Sequence, residues 1–190
     1  MIRADSIHHG NAWSPFLIKE RGDTIRPLTS PEGVTDRLRL VAFAEVQARD
    51  AFYWGAERFA GKIPEELRAT WIRFAEVEER HANMLLQRLS DLGGEPGARA
   101  VSDKLNRLCR AAEDPIHFLF LLSSAEERGM ESGLLLGKQM ESVDITSAAI
   151  FRTIAEEEVE HVQMATTALA SYDKEELKAQ ARLINAKLSQ

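Results

Sequence analysis

The sequence predicts an all-α protein built on four long helices, and three observations carry that expectation. Apolar residues recur three and four apart through four long stretches. Ser30-Pro31 and Asp114-Pro115 are cap-plus-proline helix starts, and Gly61 and Gly93-Gly94 stand where helices should stop. No segment keeps the period of two that a strand needs, and no low-complexity tract interrupts the pattern.

Taken in order, residues 1–30 carry Pro15, Gly22 and Pro27 and read as an N-terminal arm, packed on the helices through Trp13, Phe16 and Leu17. His8, His9 and His117 read as surface or packing residues. The main unit spans residues 31–172. Its first helix runs from Pro31 to about Ala60, with Leu38, Val41, Ala42, Phe52, Ala56 and Phe59 on one face. The second runs from about Pro64 to Asp91 on a stripe of Leu67, Trp71, Phe74, Leu85 and Leu89. Residues 92–114 then form a long crossover between the second and third helices, with a short helix expected near Asp103–Ala112. The third helix runs from Pro115 to about Glu141 and the fourth from about Asp144 to Ser171. Asp173 with Glu176 resembles a capping box that opens an extra C-terminal helix within residues 173–190.

Composition excludes several function classes. With 190 residues, 44% hydrophobic and 28% charged, the chain can bury one full core. A net charge of −6 with no basic run argues against a dedicated nucleic-acid binder. Cys109 is the only cysteine, so no intrachain disulfide, Cys-ligated zinc or iron–sulfur cluster can form, and a reducing cytoplasm is the expected setting. No apolar run reaches signal-peptide or membrane-span length, so no membrane partner is expected.

The chemistry sits in two Glu-x-x-His pairs, Glu78 with His81 and Glu158 with His161. Each follows another glutamate on an apolar face, Glu45 by 33 residues and Glu126 by 32. Glu45 lies 16 residues before Gly61 and Glu78 lies 14 after Pro64, which puts the two at one height in a helical hairpin. Glu126, 16 residues before Ser142, and Glu158, 14 after Asp144, meet the same condition. Glutamate and histidine three apart share a helix face, and here they interrupt apolar stripes. Four carboxylates facing a core are costly unless cations neutralise them. The set Glu45, Glu78, His81, Glu126, Glu158 and His161 therefore reads as the ligands of two divalent metals in a helix bundle.

Glu127 competes with Glu126, since it stands about 100° around the same helix. Glu126 lines up with Leu119, Leu122, Met130 and Gly133, whereas the face of Glu127 ends in Lys138. Glu131 aligns with Glu127 as a candidate outer acid. Glu76, Glu79, Glu156, Glu157 and Glu160 read as solvated helix faces, Cys109 as a buried small side chain, and Tyr53 and Trp54 as core or interface.

These residues carry a resemblance to the ferritin-like diiron-carboxylate superfamily. Phe43–Arg49 and Ala75–His81 look like the first- and second-helix motifs of rubrerythrins. Ser30–Gly33, Glu45–Ala48, Glu78–Gly93 and Glu126–Gly129 are similar to an uncharacterised ferritin-like family known only as a domain of unknown function. Glu126 to Glu131 resembles diiron tRNA hydroxylases. The resemblance covers roughly residues 30–170 and supports Glu126 over Glu127. It implies a ferritin-like four-helix bundle holding two iron ions, with manganese possible and zinc as an adventitious substitute. It also implies an oxidoreductase that activates dioxygen or peroxide, either hydroxylating an unidentified organic substrate or reducing peroxide. The Cys-rich domain of rubrerythrins is absent, so an external electron donor is implied. An RNA substrate stays open through the hydroxylase likeness, and a homodimer is compatible with it. The alternative is a non-enzymatic protein that binds or stores iron, or keeps the fold as a structural bundle without metal.

Overall fold

The computed structural model describes residues 13–188, so His8, His9 and the rest of the first twelve residues lie outside the described residues. The elements in order are β1 (Leu17–Lys19), α1 (Pro31–Arg58), α2 (Glu65–Asp91), a single 3-10 turn (Pro96–Ala98), β2 (Ala100–Ser102), α3 (Lys104–Arg110), α4 (Pro115–Met140), α5 (Ile145–Ala168) and α6 (Lys174–Lys187). The protein is mostly helical. No helix among the described residues is long and apolar enough to cross a membrane.

The helix starts follow local chemistry. The Ser30 hydroxyl accepts from the Gly33 N–H at 3.1 Å, and Pro31 occupies the first turn, where its missing N–H costs nothing. Asp114, Asp144 and Asp173 accept in the same way from the first N–H groups of α4, α5 and α6. Gly33 is obligatory for a different reason: a Cβ there would stand 1.9 Å from the Pro27 carbonyl oxygen. Gly61 and Gly93, with φ of 75° and 71°, turn the chain after α1 and α2.

α1 packs along α2 and α4 along α5, and the two pairs meet through α2 with α5 and α1 with α4. Their apolar faces make two separate cores. One holds Phe52, Phe59, Trp71, Phe74, Phe118 and Leu122, with Leu177 of α6 docked on it. The other holds Leu38, Phe43, Leu85, Leu89, Met140 and Phe151, with Trp13 and Phe16 of the arm docked on it. On every long helix the sequence-predicted acidic residues fall between these two cores.

One expectation needs correction. The absence of strand period predicted no sheet, yet β1 and β2 pair in parallel, Leu17 with Ala100 and Lys19 with Ser102. Three-residue strands are too short to show a period, and local polar contacts fix them: Asp23 accepts from the Ala100 N–H and Ser102 donates to the Glu20 carbonyl. Tyr53, read as core or interface, is not part of the core: it is 40% exposed and points away from the α1 stripe. Cys109 is buried as expected, and burial pushes its thiol up to about 12.

Polar clamps join the arm and crossover to α1. Gln47 donates to the Ser102 carbonyl and accepts from the Asn106 N–H. The buried Asp36 accepts two side-chain bonds from Arg26 and one from Arg39, with Arg99 at 3.5 Å. Burial alone would raise the Asp36 carboxyl, but bonding to Arg26 and attraction from Arg26 and Arg99 outweigh it and hold the group at about 2. A depressed carboxyl stabilises the fold above its unfolded-state value of about 3.9 and loses that contribution as pH falls through about 2. Asp36→Asn is therefore expected to destabilise the protein by about 2 kcal/mol or more at pH 7. Urea unfolding should show the gap to wild type narrowing from pH 4 towards pH 2.

Candidate metal centre

The six residues singled out by spacing converge in one layer between the two cores. Glu45 comes from α1, Glu78 and His81 from α2, Glu126 from α4, and Glu158 and His161 from α5. Their exposures run from 0% for Glu78 and His81 to 9% for Glu45, so none is a surface charge. They form two groups that could hold a metal ion: Glu45, Glu78, His81 and Glu158, and Glu78, Glu126, Glu158 and His161. In each group the candidate ligand atoms lie within 4.8 Å of one another. Glu78 and Glu158 belong to both. Glu127 and Glu131 are exposed on α4 and stand apart from this layer.

The donor atoms are short of partners. Both carboxylate oxygens of Glu78, both of Glu158, and Nδ1 of His81 and of His161 are buried with no hydrogen bond. His161 Nδ1 lies 2.9 Å from Glu78 Oε1 and 2.9 Å from Glu158 Oε2, and His81 Nδ1 lies 3.1 Å from Glu158 Oε1. These contacts are close but not aligned as hydrogen bonds. Orphaned lone pairs aimed at a common point are the geometry that a bound cation satisfies. Oxygen and imidazole nitrogen donors suit iron, manganese or zinc, so the donor set fits a metal pair.

The histidine rings are held from outside the layer. His81 Nε2 meets Glu157 Oε2 at 2.7 Å, and Arg80 holds the same oxygen at 2.8 Å. With Nε2 committed to Glu157, Nδ1 is the nitrogen that faces the cluster. The His161 ring lies against Phe74, centroids 3.9 Å apart, with Phe52 edge-on at 5.7 Å. Glu157 corrects the sequence reading, which placed it on a solvated face. One residue before Glu158 it is rotated about 100° and reaches α2. The signal in the sequence was a glutamate directly preceding a Glu-x-x-His pair, which the run Glu156–Glu158 obscured.

Burial and crowding set the titration of the layer. Burial, then repulsion from Glu78 and Glu158, pushes Glu126 well above the carboxylate range. Burial likewise raises Glu45, against the opposing pull of His81. Burial also penalises the charges of Glu78 and Glu158, but their contacts with His161 and His81 prevail, lowering Glu78 and holding Glu158 at about 2. Burial would depress both imidazoles, yet the surrounding carboxylates lift His81 to about 12 and His161 to about 9. Burial and crowding thus push Glu45 and Glu126 towards the neutral form, while Glu78, Glu158 and the two imidazoles are pushed towards the charged form.

Among known proteins, one family accounts for nearly the whole chain: its sequence model, described as protein of unknown function (DUF455), matches residues 9–186. The chain belongs to this family. No curated protein and no solved structure matches it. Membership in DUF455 supplies no activity, so the chemistry has to be argued from the layer itself.

Both imidazolium protons must leave before Nδ1 can bind a cation. Divalent-metal affinity of this DUF455 chain should therefore rise with pH, and loading two ions at pH 7 should release at least two protons. Calorimetric titration with Mn2+ in buffers of different ionisation enthalpy reads the release directly. Buffer-independent heats with pH-independent affinity would contradict it.

Proposed function

We propose that this DUF455 chain is a ferritin-like diiron-carboxylate oxidoreductase, with α1, α2, α4 and α5 as its four-helix bundle. The carrying observation is the layer of orphaned, inward-facing carboxylate and imidazole atoms shared between two overlapping groups. In this reading Glu45 and His81 would help hold one ion and Glu126 and His161 the other, with Glu78 and Glu158 belonging to both groups. Four carboxylates offset the charge of two divalent cations. Iron is the proposed occupant, with manganese as a chemically equivalent alternative.

When bound and reduced, such a pair supplies two electrons to dioxygen or peroxide. The chain's own residues do the rest. Glu157 and Arg80 fix the His81 ring so that Nδ1 faces inward. Phe52 and Phe74 pack around His161 and keep water from that side. Burial pushes the Glu45 and Glu126 carboxyls well above the usual carboxylate range, so these two would be the groups of the layer best suited to hold or give up a proton. With a single cysteine, these 190 residues cannot hold an iron–sulfur relay, so in this proposal the electrons come from outside them.

Protein from iron-replete cells should carry close to two metal ions per chain, and Glu78→Ala and His161→Ala should lose most of that. Reduced protein should consume dioxygen and the variants should not. Equal, substoichiometric metal in all three would defeat the proposal. Shells of a dozen or more subunits that take up many ions per chain would move the reading to iron storage. Glu157→Ala should weaken metal binding by about 10- to 100-fold while leaving the fold intact, read by competition with a chelator and by circular dichroism.

A further inference from the structure

A cleft of about 760 Å3 opens between α3, α4, α5 and α6. This is the size of a small-molecule site. Leu105, Leu108, Phe120, Leu121, Val162 and Leu169 give its mixed lining an apolar stretch. Its floor approaches the six-residue layer. Ser123 lines it three residues before Glu126, and Ala165 lines it four residues after His161. Residues three or four apart stack on one helix face, so the cleft reaches within about one turn, roughly 5.4 Å along the axis, of two of the proposed ligands. Both of these residues are small.

The rim carries the opposite chemistry. Lys174, Lys178 and Arg182 stand four apart along α6, and Arg128 faces them from α4; all four are exposed. Lys178 pairs with Glu175 at 2.8 Å, while among the described residues Arg128, Lys174 and Arg182 take part in no salt bridge. The lining acids are Glu127 and Glu131, so cations outnumber them four to two in a chain whose net charge is −6. An apolar stretch beside a rim with an excess of cations complements a molecule with an apolar chain and an anionic head.

We propose that this cleft binds an amphipathic anion, its carboxylate or phosphate head on the α6 cations and its apolar chain on Phe120 and Val162, pointing towards Ser123 and Ala165. The cleft thereby names a substrate class for the metal centre, and that role rests on the metal-centre reading; the binding itself does not.

The test uses the full chain, metal-free and cobalt-loaded, titrated calorimetrically with dodecanoate, dodecyl phosphate, dodecanol and dodecyltrimethylammonium below their micelle concentrations. One-to-one binding of the anions, about tenfold tighter than of the alcohol or the cation, is expected. The two anionic probes rank carboxylate against phosphate. The exposed double variant Lys174→Glu/Arg182→Glu should weaken anion binding by about tenfold with an unchanged thermal midpoint. Ala181→Trp, which fills the cleft from α6, should abolish it. On cobalt-loaded protein the anions should perturb the visible cobalt spectrum. Equal binding of all four probes, or indifference to the double variant, would overturn the proposal. Anion binding that leaves the cobalt spectrum unmoved would overturn the placement of the chain end near the centre. A protein that binds the anions but takes up no metal would overturn the metal-centre reading and leave the cleft assignment standing.

Discussion

Four carboxylates in one buried layer repel each other, and the rest of the structure is arranged around that fact. Glu45, Glu78, Glu126 and Glu158 sit where water cannot screen them. Burial and mutual repulsion raise Glu45 and Glu126, whereas contacts with the two imidazoles lower Glu78 and Glu158 and lift the imidazoles in return. The layer is also poorly hydrogen-bonded, since six of its donor and acceptor atoms have no aligned partner. A fold selected for stability alone would replace such a layer with apolar residues of similar volume. Its persistence between two well-packed aromatic cores points to binding.

The two cores explain how the layer is held. Phe52, Trp71, Phe74 and Phe118 close one side; Phe43, Leu85, Met140 and Phe151 close the other. Each long helix crosses both, so no helix can slide or rotate without breaking packing on both sides of the ligand height. The arm and the crossover add constraint on α1 through Asp36 and Gln47, the former one helical face away from Glu45. Arg88 ties α2 to the N-terminus of α5 through Asp144 at 2.7 Å, fixing the heights of the two Glu-x-x-His helices relative to each other.

Much of this was legible in the sequence because helical periodicity and equal spacing act together. Glu45 and Glu126 sit 33 and 32 residues before Glu78 and Glu158, and the structure brings all six singled-out residues into one layer. The choice of Glu126 over Glu127 followed the apolar stripe, and burial of one beside exposure of the other agrees. What escaped were features without a period. The β1–β2 pair depends on contacts across about eighty residues, and Glu157 depends on which neighbour an off-stripe side chain happens to meet. The cleft beside α6 likewise needs the docking of Leu177, which no local pattern specifies.

The most direct measurement is a crystal structure of the protein loaded with manganese, with anomalous difference maps recorded at the metal edge. The account predicts two peaks a few ångströms apart in the mid-bundle layer, Glu78 and Glu158 spanning them, with His81 and His161 bound through Nδ1. Peaks confined to surface carboxylates, or a loaded crystal in which the layer keeps its protons and no peak appears there, would contradict it.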